Sequence, residues 1–239
     1  MSNIDILRQG IEDFGIEASD KMLADFQKYK EILVEWNQKM NLTGIEDEKE
    51  VFIKHFLDSI SAVSKGYIKN GMSLIDVGTG AGFPGMPLRI SLPDLKVTLL
   101  DSLNKRIKFL NQVILDLSLN NISAVHSRAE DLAQQKEYRE HYDFCVSRAV
   151  ANLATLSEYC LPFVKKKGYF ISYKSEKITE EYEQAKKAIK ILGGNYKNQV
   201  EFYLPQSDIY RNLFIIEKID VTPKKYPRKA GMPSKEPII

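Results

Sequence analysis

The run Asp76-Val77-Gly78-Thr79-Gly80-Ala81-Gly82 places a carboxylate two residues before three glycines that alternate with single residues. Glycine takes positive φ at little cost and lets a ligand lie directly against the backbone. A helix starting just afterwards would offer that ligand its unpaired N–H groups. Apolar Leu74-Ile75 precedes the turn, and Pro84 and Pro87 both suit a first helical turn. The pattern therefore predicts strand, glycine turn, helix, with the helix starting near Pro84 or Pro87.

A second carboxylate, Asp101, ends the apolar run Lys96 to Leu100, 21 residues after Gly80. A Rossmann-like fold sets an acid on ribose hydroxyls at roughly that offset, about 20 residues. The other reading of Asp101 is a cap for the helix patterned by Ile107, Leu110, Val113, Ile114 and Leu117. The glycine spacing departs from the dinucleotide fingerprint G-x-G-x-x-G and resembles the turn of S-adenosylmethionine-dependent methyltransferases. That cofactor has no phosphate, so Asp76 can face its cationic amino acid part, whereas a pyrophosphate would repel it. The sequence has no G-x-x-x-x-G-K-[ST] string, which argues against a P-loop nucleotidase.

Ligands of open α/β sheets bind beyond the carboxyl ends of the strands. That rule singles out Asp101-Ser102, then Ser127-Arg128-Ala129-Glu130-Asp131, then Ser147-Arg148-Ala149. In the second cluster a backbone amide and an acid could meet an adenine edge, or Asp131 could cap a helix beside a surface Arg128. Arg148 reads either as a functional group or as half of a structural salt bridge, because a guanidinium at the mouth of a sheet needs a partner. His55 and Asp58 lie three apart on one helix face, lining a substrate entrance or joining helix to sheet. Asn41-Leu42-Thr43 is placed to end a helix or to contribute to the pocket, and His126, at a strand end, is expected to be packed rather than catalytic.

These residues need elements to carry them. Met22, Leu23, Phe26, Tyr29, Ile32, Leu33, Trp36 and Met40 recur at helical spacing after Ser19, and a second helix is expected from about Glu48 to Ser64. Strand-like runs follow near 73–77, 96–100, 124–126, 143–147 and 168–173, separated by helical patterns, which is the rhythm of a parallel sheet. Gln199 to Leu204 and Asn212 to Ile219 have no helix between them, so an antiparallel hairpin should close one edge. The expected organisation is a helical extension over 1–70, a Rossmann-like α/β domain over 71–220 with a mostly parallel sheet, and a basic tail over 221–239.

Of 239 residues, 44% are hydrophobic, enough for a sizeable core. No stretch has the length of a membrane span, and the N-terminus lacks the pattern of a signal peptide. Two isolated cysteines, Cys145 and Cys160, imply reduced thiols and a cytoplasmic location, and three scattered histidines argue against a zinc site. Net charge is +2, yet residues 222–239 hold Lys224, Lys225, Arg228, Lys229 and Lys235 against Glu236 alone. That tail interleaves cations with Tyr226 and prolines, and is expected either to extend along a phosphate backbone or to fray in solvent.

The strings DVGTGAGFPG, LLDSLNKRIKFL, RAED and SRAV, with EWNQKMNLT and KHFLDSI upstream and PKKYPRK in the tail, together resemble the RsmG (GidB) family. These are bacterial class I methyltransferases that modify N7 of a guanine in the decoding region of 16S ribosomal RNA. The resemblance spans nearly the whole chain. It implies S-adenosyl-L-methionine as cofactor, the small ribosomal subunit or its RNA as partner, a monomer, and neither metal nor membrane. Matched residue by residue, it assigns cofactor binding to Gly78, Phe83, Ala129, Glu130 and Arg148. Together with Asp76, Gly80, Asp101 and Ser102 these form the expected site, with Arg148 orienting cofactor or guanine. A ring N7 carries a lone pair and no proton, so no general base is expected. The missing N/D-P-P-Y string and the absence of a catalytic cysteine pair are consistent with that chemistry. A methyltransferase for a small molecule or protein, or a non-catalytic cofactor-binding regulator, would share the glycine turn.

Overall fold

The computed structural model describes residues 2–45, 47–148, 151–176 and 178–239. Ala149 and Val150 of the SRAV string lie outside the described residues.

Helices α1 (Asn3–Asp13) and α2 (Asp20–Met40) open the chain. As the periodicity predicts, α2 follows Ser19, whose side chain caps it by accepting from the Met22 amide, and Asn41 ends it in the left-handed region at φ 49°. The helix expected over 48–64 has a change of winding in its middle: α3 (Glu48–Val51) passes into a π-helical segment, Phe52–Leu57, before α4 (Asp58–Ser64). Such widened turns occur often at functional sites.

The sheet strands are β1 (Ser73–Val77), β2 (Lys96–Asp101), β3 (Ile122–His126), β4 (Tyr142–Ser147), β5 (Val164–Lys174), β6 (Gly194–Tyr203) and β7 (Tyr210–Lys218). Their order is β3-β2-β1-β4-β5-β7-β6. The first five pair in parallel, and β7 runs antiparallel between β5 and β6, the expected hairpin. Connecting helices are α5 (Gly85–Ser91), α6 (Asn104–Asp116), α7 (Ala129–Leu132), α8 (Leu153–Cys160) and α9 (Thr179–Ile191). A short α10 (Met232–Lys235) lies in the tail.

Alternation along the strands sends side chains to two cores. On one face Leu74, Leu99 and Val146 share a cluster with Leu7, Phe26, Tyr29, Phe52 and Phe56, so the N-terminal helices pack into the sheet's own core. On the other face Ile75, Val77, Cys145 and Phe214 meet Leu153, Leu156 and Leu161. Both cysteines are buried and unpaired by disulfide. No helix among the described residues is long and apolar enough to cross a membrane.

Two expectations need correction. His126 is exposed, its Nε2 lying 3.0 Å from the Ser102 carbonyl oxygen, because β3 is the edge strand and its end meets solvent. The tail is neither extended nor frayed. Arg139 donates to the carbonyls of Thr222 (2.8 Å) and Tyr226 (2.9 Å), and Arg228 grips Glu158 of α8. Short-range composition could not reveal those partners, which are about 70 to 90 residues away.

Candidate functional site

The glycine turn is built as its sequence requires: Gly78, Gly80 and Gly82 have φ of 73°, 62° and 98°. A side chain at Gly82 would also place its Cβ 2.6 Å from the Tyr29 hydroxyl, which donates to the Ala81 carbonyl and ties α2 to the turn. Around Gly80 a Cβ would meet nothing within 4 Å, so this glycine is needed for its conformation and leaves open space.

Asp76 does not face that space. Strand alternation turns it away from the face of Val77, and it is fully buried, accepting from the Thr79 hydroxyl at 2.6 Å and the Gly85 amide at 2.8 Å. Burial raises its carboxyl to about 7, while these two hydrogen bonds pull it down. Asp76 braces the turn from below, where the sequence suggested contact with a cationic ligand. Asp101 faces the open side: its carboxylate accepts from the amides of Gly80 and Leu103, both at 2.9 Å, and pairs with Arg106 at 3.0 Å. The cap reading is not met: Leu103 precedes α6, and Asp101 accepts from none of that helix's first-turn amides.

A cavity of about 390 Å³ lies over the carboxyl ends of β1, β2 and β3. Gly78, Asp101, Ser102, Ala129 and Glu130 all line it, with Val77, Leu100 and Leu156 as apolar walls. Its size lies within the roughly 300–1,000 Å³ of small-molecule sites. Tyr159 of α8 and Gly231 of the tail close its far side.

Arg148, Phe83 and His55 form a separate node. Arg148 donates to the Lys54 carbonyl at 3.0 Å, inside the π-helical turn, and pairs with Asp58 at 3.1 Å. Its other terminal nitrogen lies 3.0 Å from His55 Nδ1, and its guanidinium stands 5.0 Å from the Phe83 ring centre. The His55 ring stacks on Phe83 with centroids 4.4 Å apart, and its Nε2 meets the Thr43 hydroxyl at 2.8 Å. With a guanidinium beside Nδ1, that nitrogen accepts and Nε2 carries the proton. Burial, then the Arg148 charge, lowers the imidazole to about 3, so it is neutral at physiological pH. His55 and Asp58 join helix to sheet through Arg148, as one reading of the pair expects, and both line a cavity.

That second cavity, about 600 Å³, is lined by Lys54, His55, Asp58, Arg148, Lys174 and Arg211 among others. Ala151 borders both cavities, so they adjoin beyond β4. The structure thus gathers five of the expected residues in the first cavity, Arg148 in the second, and Gly80, Phe83 and Asp76 in the framework between.

Sequence reading missed Lys174 and Arg211. Lys174 ends β5 as Arg148 follows β4, a signal available had the carboxyl-end rule been carried one strand further. Arg211 stands at the start of β7, which is antiparallel, so its first residues lie beside the carboxyl end of β5, with Asn212 opposite Lys174. Its Nε is 3.1 Å from Asp58 Oδ1, an ion pair lacking hydrogen-bond alignment.

Comparison with known proteins gives matches of three kinds: a family model, relatives and solved structures. The family model described as GidB, rRNA small subunit methyltransferase G, matches residues 22–210. A protein of Alkaliphilus oremlandii named Ribosomal RNA small subunit methyltransferase G is 57% identical, covering 98% of this chain and 98% of its own length. One of Clostridium botulinum with the same name is 49% identical over 100% of both. Among solved structures, M. jannaschii TYW2 in complex with AdoMet aligns with a TM-score of 0.52 at 17% identity, covering 68% of this chain and 77% of that one. A M. jannaschii fibrillarin pre-rRNA processing protein aligns with a TM-score of 0.52 at 16% identity, covering 66% and 74%. These two likenesses show the fold.

Proposed function

The chain belongs to the rRNA small subunit methyltransferase G family, and on that premise we propose that it methylates N7 of a guanine in small-subunit ribosomal RNA, using S-adenosylmethionine. The observation that carries this reading is the pair of cavities adjoining at Ala151. The first offers carboxylates and apolar walls suited to a nucleoside, and the second sets Lys54, Arg148, Lys174 and Arg211 among Asp58, Glu176 and Glu181, a polar lining suited to a nucleotide of RNA.

The bound cofactor would supply an electrophilic methyl group on a sulfonium. Asp101, already fixed by Gly80, Leu103 and Arg106, would hold ribose hydroxyls, while Glu130 and the Ala129 backbone would hold adenine between Leu100 and Leu156. Gly78 and Gly80 allow close backbone approach, with Phe83 supporting the turn beneath. Arg148 orients the reactants at the junction, its charge balanced by Asp58. Holding donor and acceptor in line and excluding water is the main contribution required of the protein.

The His55 imidazole is lowered to about 3 and has both nitrogens engaged, so it is a poor base. That agrees with a guanine N7 as acceptor, which carries a lone pair and has no proton to lose. With a ribosomal substrate, the reaction would take place in the cytoplasm. The test is to incubate the purified protein and S-adenosylmethionine with small subunits or deproteinised RNA from cells lacking this protein, then digest to nucleosides. Mass spectrometry should find new 7-methylguanosine. Methyl groups appearing on ribose or exocyclic amines instead, or no transfer to either substrate, would overturn the assignment.

A further inference from the structure

We propose that the C-terminal segment is a structural wall of the cofactor cavity, with Arg228 as the positioning residue that holds it there, so that tail docking and cofactor binding are coupled. The inference rests on reading the cavity at Gly78, Asp101 and Glu130 as the S-adenosylmethionine site.

Gly231 lines the cavity itself, and its amide donates to Glu130 Oε1 at 2.8 Å. The tail thereby orients a carboxylate that the reading assigns to adenine. Gly231 has φ 84°, so the chain can bend at this point to present its N–H.

Arg228 is what fixes that bend in place. Its backbone amide donates to Glu158 Oε1 at 2.7 Å, and its guanidinium meets both carboxylate oxygens, Nε on Oε1 at 2.9 Å and the terminal nitrogen on Oε2 at 2.7 Å. The Glu158 side chain is 1% exposed. A carboxylate so deeply buried needs a partner, and bidentate guanidinium geometry provides one. Pairing with Glu158 raises the Arg228 guanidinium still further above neutrality, so the cation persists at every working pH.

Glu158 belongs to α8, the helix that sends Leu156 and Tyr159 into the cavity. The same helix receives the Pro233 carbonyl at the Thr155 hydroxyl, 3.0 Å away and buried. Gln134, just beyond α7, holds the Pro227 carbonyl at 2.9 Å. Tail, α7 and α8 therefore share one set of contacts around the cavity, and a ligand that fixes Glu130 also fixes the tail's binding surface. Linkage requires the reverse as well.

The experiment uses the full-length protein and Arg228→Ala. Calorimetry with S-adenosylhomocysteine should show Kd raised about tenfold in the variant, the scale of one hydrogen-bonded charge pair. In steady state, KM for S-adenosylmethionine should rise while KM for small subunits stays fixed, a split that general loss of folded protein would not produce. A second readout needs no variant: trypsin cuts after Arg228 and Lys229, and saturating S-adenosylhomocysteine should slow those cuts in the wild type. Unchanged Kd in the variant together with unchanged cleavage would overturn the wall. Failure of the wild type to bind S-adenosylhomocysteine at all would overturn the cofactor reading itself.

Discussion

At the scale of single residues, Arg148 and Asp76 illustrate opposite solutions to burying charge. Arg148 is held by a carboxylate, a carbonyl and a neutral imidazole, and still borders the second cavity. Its replacement by alanine should lower the melting temperature, since Asp58 loses its hydrogen-bonded partner, and should reduce methyl transfer by about 10²-fold or more at temperatures where the variant is still folded, because misplacing reactants costs rate on that scale. Near-normal turnover would remove Arg148 from the site. Asp76 and His55 make opposing contributions to stability below neutrality. His55 titrates near 3 in the folded chain against 6.5 ordinarily, so between these values the unfolded chain binds the extra proton and stability falls on acidification. Asp76 titrates near 7 against 3.8, so in that window the folded chain binds the extra proton and stability rises on acidification. In His55→Gln only the second contribution remains. Thermal melts from pH 7 to 4 should therefore show the variant gaining on the wild type as pH falls, and parallel curves would refute the assignment of His55. Which way Asp76 points was not readable from its place before the glycines, since a strand residue's face depends on pairing with neighbours elsewhere in the chain.

At the scale of elements, the glycine turn separates steric from conformational need. A Cβ on Gly85 would lie 2.4 Å from Leu99 Cδ2 and 3.0 Å from the Asp76 carboxylate, inside the packing of α5 against the sheet. Gly85→Ala should cost about 1–3 kcal/mol by overpacking. Gly80→Ala meets no atom and should cost about 1 kcal/mol or slightly more for its positive φ. Urea unfolding of both variants checks the order, and equal midpoints would contradict it. Strand, turn and helix were legible here because each is a local pattern. The π-helical segment Phe52–Leu57 was not, since its widened turn is matched to a guanidinium more than 90 residues away.

For the whole molecule, the parallel sheet and its antiparallel edge could be read from hydrophobic rhythm, while the docking of the tail could not. Its anchor, Glu158, looks in sequence like any surface acid of an amphipathic helix, and only the fold buries it. The docked tail keeps Lys224, Lys225 and Lys229 exposed at fixed positions. Replacing all three by alanine should flatten the slope of log K against log salt for RNA binding, by up to about 0.7 to 0.9 per lysine that contacts phosphate. An unaltered slope would show that this face lies off the RNA. Gly231 and Arg211 also set an order of events during synthesis. Each cavity receives a wall from residues that follow β1 to β6 in the chain. A nascent chain can fold most of its core early and still lack a finished pocket on either side. Both pockets are therefore completed late, by segments that reach back over a sheet already largely made.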